Sequence, residues 1–126
     1  MVNSPITVLI MAAGTGGHIF PALSVARELQ MLGAKVEWLG TPSGLEHELL
    51  ANTEIPLHTV PVQGLRGKGF MRLLFAPFML VRAFWDSLQV LRRVRPDSVL
   101  GMGGFVAGPA GLAAKTLGLP LLIHEQ

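Results

Sequence analysis

The residues best equipped for chemistry stand together at Gly14-Thr15-Gly16-Gly17-His18. Glycines let backbone N–H groups approach an anion closely, and a hydroxyl (Thr15) and an imidazole (His18) sit beside them. The apolar run Val8 to Ala13 precedes the stretch, and a helical pattern opened by Pro21 follows it. The turn therefore joins a buried strand to a helix N-terminus, which aims further N–H groups and a partial positive charge at the same point. It reads as a phosphate cradle; the alternative is a tight strand-to-helix turn that holds nothing. A second stretch repeats the design at Gly101-Met102-Gly103-Gly104-Phe105-Val106-Ala107-Gly108-Pro109. Two such loops at the carboxyl ends of strands favour the ligand-binding reading, because open α/β sheets bind ligands along that edge.

Neither loop carries a standard nucleotide fingerprint. The first is G-x-G-G, with Ile19 where a dinucleotide motif would place its third glycine, and no Gly-Lys-Ser/Thr occurs anywhere. A lone histidine is commonly a packing or capping residue. At His18, however, the adjoining helix N-terminus disfavours the imidazolium, so a neutral ring able to accept a proton is expected, and His18 is the candidate base. His124 and Glu125 close the last strand and read equally as site residues or as hydrogen-bonded end groups. His47 and His58 receive no role. The histidines never approach H-E-x-x-H spacing, and the two aspartates, Asp86 and Asp97, form no Asp-x-Asp motif, so no metal is expected. The chain contains no cysteine, which excludes a disulfide framework and suits a reducing compartment.

The elements that must position these residues follow from periodicity. Thr7 to Met11 is apolar on both faces, as a strand inside a parallel sheet must be. Pro21 is placed in the first turn of a helix in which Ala22, Val25, Ala26, Leu29 and Leu32 recur, and Gly33 stops it. Lys35 to Gly40 is a second strand, completing a βαβ unit. Thr41 or Ser43 is expected to cap a short helix through Leu45, Leu49 and Leu50. Ile55 to Val62, limited by Pro56 and Pro61, reads as a short strand near an edge. Phe70 to Arg95 is a long helical pattern that Pro77 should kink or split. Val99 to Met102 and Leu119 to His124 are two further buried strands, separated by a helix from Ala110 to Leu117. The whole is one α/β unit, a Rossmann-like parallel sheet with helices on both faces. Its final strand stops at the ligand edge without a following helix, which reads as a domain cut short.

Charge marks a second functional segment. Between Arg66 and Arg95 lie seven basic residues and one acid, whereas the rest of the chain holds three basic residues and seven acids. Within that segment an uncharged block, Leu73 to Val81, is flanked by Arg72 and Arg82. One reading is a core helix with a solvated basic end. The other is contact with an anionic bilayer, because the pattern is apolar over more of its circumference than one sheet face covers. Arg72, Phe75, Phe78, Met79, Arg82 and Trp85 are then the contact residues. Nucleic acid is disfavoured, since the interleaved aliphatic residues would serve no purpose there. No basic signal region opens the chain, and no apolar run reaches the ~18 residues of a membrane span.

Four motifs occur in order: Gly14-Thr15-Gly16-Gly17-His18-x-x-Pro21-Ala22-Leu23, Gly64-Leu65-Arg66-Gly67-Lys68-Gly69, Gly101-x-Gly103-Gly104-Phe105-x-x-Gly108-Pro109 and His124-Glu125-Gln126. Together they resemble the N-terminal half of the MurG family of bacterial cell-wall N-acetylglucosaminyltransferases, over essentially the whole chain. Ala13, Phe105, Ala107 and Ala110 stand where relatives often show Gly, Tyr, Ser and Gly. The resemblance implies a two-domain GT-B enzyme of peptidoglycan synthesis, peripheral on the cytoplasmic face of the inner membrane. Residues 1–126 would be its N-terminal domain, which handles the lipid-linked acceptor, and an absent C-terminal domain would hold most of the donor. The implied reaction moves N-acetylglucosamine from UDP to the C4 hydroxyl of undecaprenyl-diphosphate-linked muramoyl-pentapeptide, with inversion. By that resemblance Thr15, Gly16 and Gly17 contact the donor, His18 is the base or orients the acceptor hydroxyl, Gly103 and Gly104 cradle the acceptor diphosphate, and Glu125 lines the site. No cofactor is implied beyond the donor substrate, UDP-N-acetylglucosamine. The competing reading is a non-catalytic peripheral membrane module that recruits a separate glycosyltransferase subunit. A Rossmann-type nucleotide-binding enzyme is weaker still.

Overall fold

The structure, a computed structural model, describes residues 5–13, 16–42, 44–60, 70–103 and 107–124. Nine elements follow one another: β1 (Thr7–Ala12), α1 (Gly16–Met31), β2 (Lys35–Gly40), α2 (Glu46–Leu50), β3 (Leu57–Thr59), α3 (Phe70–Val94), β4 (Ser98–Gly103), α4 (Ala107–Thr116) and β5 (Leu121–Ile123). The strands form one parallel sheet in the order β3-β2-β1-β4-β5. β1 is central, which is why its residues are apolar on both faces. Leu9 and Met11 join the core beneath α3 and α4 with Leu39, Val99, Ala83 and Leu91. Val8, Ile10 and Ala12 join the opposite core, beneath α1 and α2, with Val36, Trp38 and Ala26. The expected doubly wound architecture is present.

Local chemistry accounts for the element ends. Gly33 takes φ 94°, and the Ala34 N–H donates to the Leu29 carbonyl at 2.9 Å, closing α1 with a left-handed cap that a side chain would strain. Arg95 adopts φ 53° after α3, and Pro96 prevents the helix from continuing. The start of β4 is clamped to β1: the Thr7 N–H donates to Asp97 Oδ2 at 2.7 Å, and the Asp97 N–H donates to the Thr7 carbonyl at 2.8 Å.

Several expectations need correction. α1 begins at Gly16, so Pro21 is its sixth residue and not part of its first turn. The two glycines and His18 are themselves the first turn. Pro77 does not split α3, which runs unbroken for 25 residues. The proline stands at an exposed site, where water can replace the lost backbone bond. Leu45, not Thr41, precedes α2, and no side chain caps it; the Glu46 carboxylate instead turns back to accept the Thr41 N–H at 3.2 Å. Ser43 lies outside the described residues. β3 spans only Leu57–Thr59, at the sheet edge as expected. Among the described residues β5 is the other edge of the sheet, and Leu122 and Ile123 are exposed where a buried strand was expected. Finally, Leu74–Val94 is long and apolar enough, by length and composition, to cross a membrane. Ala83, Leu88, Val90 and Leu91 nevertheless sit in the core beneath the sheet, a place a bilayer span could not occupy at the same time.

Candidate functional site

The strand order reverses between β1 and β4: the chain leaves β1 toward β2 on one side, and β4 lies on the other. Crevices at such a reversal, outside the carboxyl ends of the strands, are where open α/β sheets hold ligands. Both glycine loops start there. The β1–β4 register runs Met11↔Gly101 and then Ala12↔Gly103, so Met102 is an extra residue and the ladder shifts at its end. The Ala13 N–H reaches the Gly103 carbonyl at 3.4 Å.

The shift brings His18 onto Gly103. Gly103 has φ 117°, and a Cβ built there would lie 2.8 Å from Cε1 and 3.1 Å from Cγ of His18, with Nδ1 nearer still. The glycine is required twice, by its backbone angle and by the ring against it. Nδ1 is the ring nitrogen close to Gly103, and Nε2 is the one farther from it. His18 is half-buried, and its neighbour Ile19 is fully buried. A helix leaves its first four N–H groups without internal partners. In α1 the described ones belong to Gly16, Gly17 and His18. Donors, helix dipole and imidazole therefore share one place beside the end of β4.

A buried indole supports the loop from below. Trp38 Nε1 donates to the Ala12 carbonyl at 2.9 Å, with Trp38 and Ala12 both inaccessible to solvent. Sequence reasoning used Trp38 only as a strand marker. A buried tryptophan signals that a partner for its N–H exists, but not which one. Glu46 was likewise missed. It is fully buried, and Gly40 and Gly44 crowd its carboxylate so closely that a Cβ on either would collide with it. The next residue, His47, bonds the Thr41 carbonyl through Nε2 at 2.8 Å. The loop after β2 is thus organised around two consecutive side chains.

The other predicted residues divide into two groups. Thr15, Gly14, the 64–69 loop, Gly104 and Glu125 lie outside the described residues, as does the side chain of Arg72. His124 continues the ladder, its N–H donating to the Gly101 carbonyl at 2.8 Å, and is itself exposed. His58 pairs with Glu37 at 2.8 Å and is approached by Arg93 Nη2 at 3.3 Å, which ties the edge strand to the end of α3. Among the described residues no three His, Asp or Glu side chains converge as metal ligands.

The basic-apolar segment has a defined placement. Twenty-five helical residues span about 37 Å, against about 20 Å for a six-residue strand. Because α3 returns to the amino edge where β4 starts, its first half overhangs the carboxyl edge. Its described core residues accordingly begin at Ala83. Before that point Leu74, Phe75, Phe78 (74% exposed) and Val81 (67%) face solvent; Trp85 follows on the same exposed flank, and Met79 is half-buried. Arg82 is exposed and pairs loosely with Asp86 at 3.7 Å. This apolar stripe and the His18–Gly103 contact lie toward the same edge of the sheet.

A doubly wound α/β domain whose two glycine motifs come together at its switch point, where His18 rests on Gly103, is the class these features define. Residues 8–126 match the description "Glycosyltransferase family 28 N-terminal domain", and the chain belongs to that family. It is 58% identical over 119 residues to the UDP-N-acetylglucosamine--N-acetylmuramyl-(pentapeptide) pyrophosphoryl-undecaprenol N-acetylglucosamine transferase of Pseudomonas fluorescens, covering 94% of this chain and 33% of that protein. The counterpart in Pseudomonas syringae pv. tomato is 59% identical with the same coverage. The crystal structure of Acinetobacter baumannii MurG superposes with a TM-score of 0.84 at 50% identity, covering 96% of this chain and 35% of that one. The chain thus spans about a third of the length of these relatives.

Proposed function

We propose that this chain is the acceptor half of an inverting hexosyltransferase that moves N-acetylglucosamine from UDP-N-acetylglucosamine to the C4 hydroxyl of undecaprenyl-diphosphate-linked muramoyl-pentapeptide. The observation that carries the reading is the meeting of His18 and Gly103 at the β1/β4 switch point, in a chain whose relatives bear that transferase name. His18 is the general base that takes the C4 hydroxyl proton as that oxygen attacks the sugar's anomeric carbon, with UDP leaving. Thr15, Gly16 and Gly17 face the donor, Gly103 and Gly104 cradle the acceptor diphosphate, and Glu125 lines the cleft. A C-terminal donor domain forms the opposite wall. No metal or cofactor is assigned to this chain.

The same reading makes the protein peripheral on the cytoplasmic face of the inner membrane and gives it a part in cell-wall synthesis, and so in cell shape and division. Support comes from α3, whose exposed Phe75, Phe78, Val81 and Trp85 with Arg82 form a stripe toward the catalytic edge. A lipid-borne anionic substrate would then reach the glycine turns from the surface on which the helix rests.

The test is transfer from UDP-N-acetylglucosamine to the lipid acceptor. The chain joined to its donor domain should turn over and the chain alone should not. Turnover by the 126 residues alone would refute the need for a second half. Activity restored by a separate, unlinked catalytic subunit would favour the recruiting-module reading.

A further inference from the structure

We propose that Trp38 is a positioning residue for His18, acting through its indole N–H and not through its bulk alone. The inference rests on the reading of His18 as the base. β1 and β2 are paired only as far as Met11↔Leu39. At the next residue β1 shifts toward β4, with Ala12 opposite Gly103. The Ala12 carbonyl therefore lies one residue beyond the end of that ladder, at the point where the strand is leaving its partner on the β2 side. It is buried, and an unpaired buried carbonyl would favour any local movement that restored a partner. Trp38 Nε1 takes it at 2.9 Å.

The indole lies on the face of the sheet that carries α1, in one cluster with Ile10, Ala12, Ile19, Ala22 and Met102. Ile19 immediately follows His18 in the first turn of α1, and Met102 is the extra residue of β4 that immediately precedes Gly103. Trp38 thus shares one core cluster with the neighbours of both partners while holding the strand end that leads into the turn. The tolerance at the far end is small, since His18 rests where even a methyl group on Gly103 would not fit. A modest shift of the end of β1 or the first turn of α1 would take the ring off its position, and misplacing a catalytic group by about 1 Å can reduce the rate up to ~10²-fold. Apolar packing alone would tolerate any ring of similar size; the N–H is what ties this side chain to the turn.

The experiment is a double-mutant cycle in the complete transferase, this chain with its donor half, using Trp38→Phe and His18→Ala. Trp38→Phe should lower kcat about tenfold and leave the donor KM within about twofold. In the His18→Ala background the same change should lower kcat by less than about twofold, because the group it positions is gone. An equal loss in both backgrounds would show Trp38 to be merely structural. A Trp38→Phe enzyme with unchanged kcat, beside a His18→Ala enzyme that has lost activity, would overturn the Trp38 inference and leave the base assignment standing. Unchanged kcat in His18→Ala would overturn both. If Trp38→Phe does not fold, benzothienylalanine at position 38 keeps the bicyclic shape, replaces N–H by sulfur, and enters the same cycle.

Discussion

The His18 ring occupies the space that a Cβ on Gly103 would need, so the two glycine motifs meet, among the described residues, where an imidazole rests on a backbone. Two motifs far apart in sequence come together because β1 and β4 are neighbours. Gly103→Ala should therefore be damaging in two ways. A side chain at φ 117° is strained, and its methyl group displaces the ring. Loss of ~1–3 kcal/mol of stability is expected, with a fall in kcat of more than about tenfold. Thermal unfolding and the transfer assay check the two effects separately. Unchanged activity in the folded variant would mean that the ring swings aside freely.

His18→Ala in the complete enzyme should reduce kcat by ~10²–10⁴-fold, the range of a positioned general base. The side chain is half-buried in a first helical turn, so far-ultraviolet circular dichroism should stay unchanged. A kcat within a fewfold of the parent would remove the base assignment.

Phe78→Glu and Arg82→Glu should each weaken binding to vesicles containing anionic lipid, and raising the salt concentration should weaken the parent's binding as well. Both side chains are exposed, and the Arg82–Asp86 pair is a surface pair. Stability should therefore change by less than about 0.5 kcal/mol. Sedimentation with vesicles reads the first effect and urea unfolding the second. Undiminished binding by both variants would mean that this stripe is not the anchor.

Glu46→Ala should destabilise the domain by ~1–3 kcal/mol, because the Thr41 N–H loses its acceptor and a buried space opens beneath the β2–α2 loop. Glu46→Gln keeps the shape and one carbonyl oxygen and should lose less. Urea midpoints at constant slope decide the order. Equal midpoints for Gln and Ala would show that neither the bond to Thr41 nor the filled space stabilises the domain.

The expectations that failed have a common cause. Pro21 was placed by the rule for a first turn, yet Gly16, Gly17 and His18 fold into the helix ahead of it, and no local pattern marks where glycines cease to be loop. Of the two outcomes expected at Pro77, a kink or a break, the break does not occur: an exposed proline leaves its lost hydrogen bond to water and the helix continues. Leu119 to His124 reads as buried by composition, but burial depends on a strand's neighbours, and among the described residues β5 has one neighbour only. The surplus of apolar residues over Leu73 to Val81 was legible because it exceeds what one sheet face can cover. The structure leaves Leu74, Phe75, Phe78, Leu80 and Val81 exposed.

The parallel α/β class, the two glycine motifs and their attachment to the ends of β1 and β4 are legible in the order of the residues. Strand periodicity, apolar runs and glycine placement are local properties of the chain, so they can be read along it. That His18 lies on Gly103, that Trp38 holds the Ala12 carbonyl, and that α3 overhangs the edge on which they meet emerges with the fold alone. Each depends on which strands are adjacent, in what register, and how far a helix outruns its sheet. Those are long-range geometric facts that no short window of residues contains.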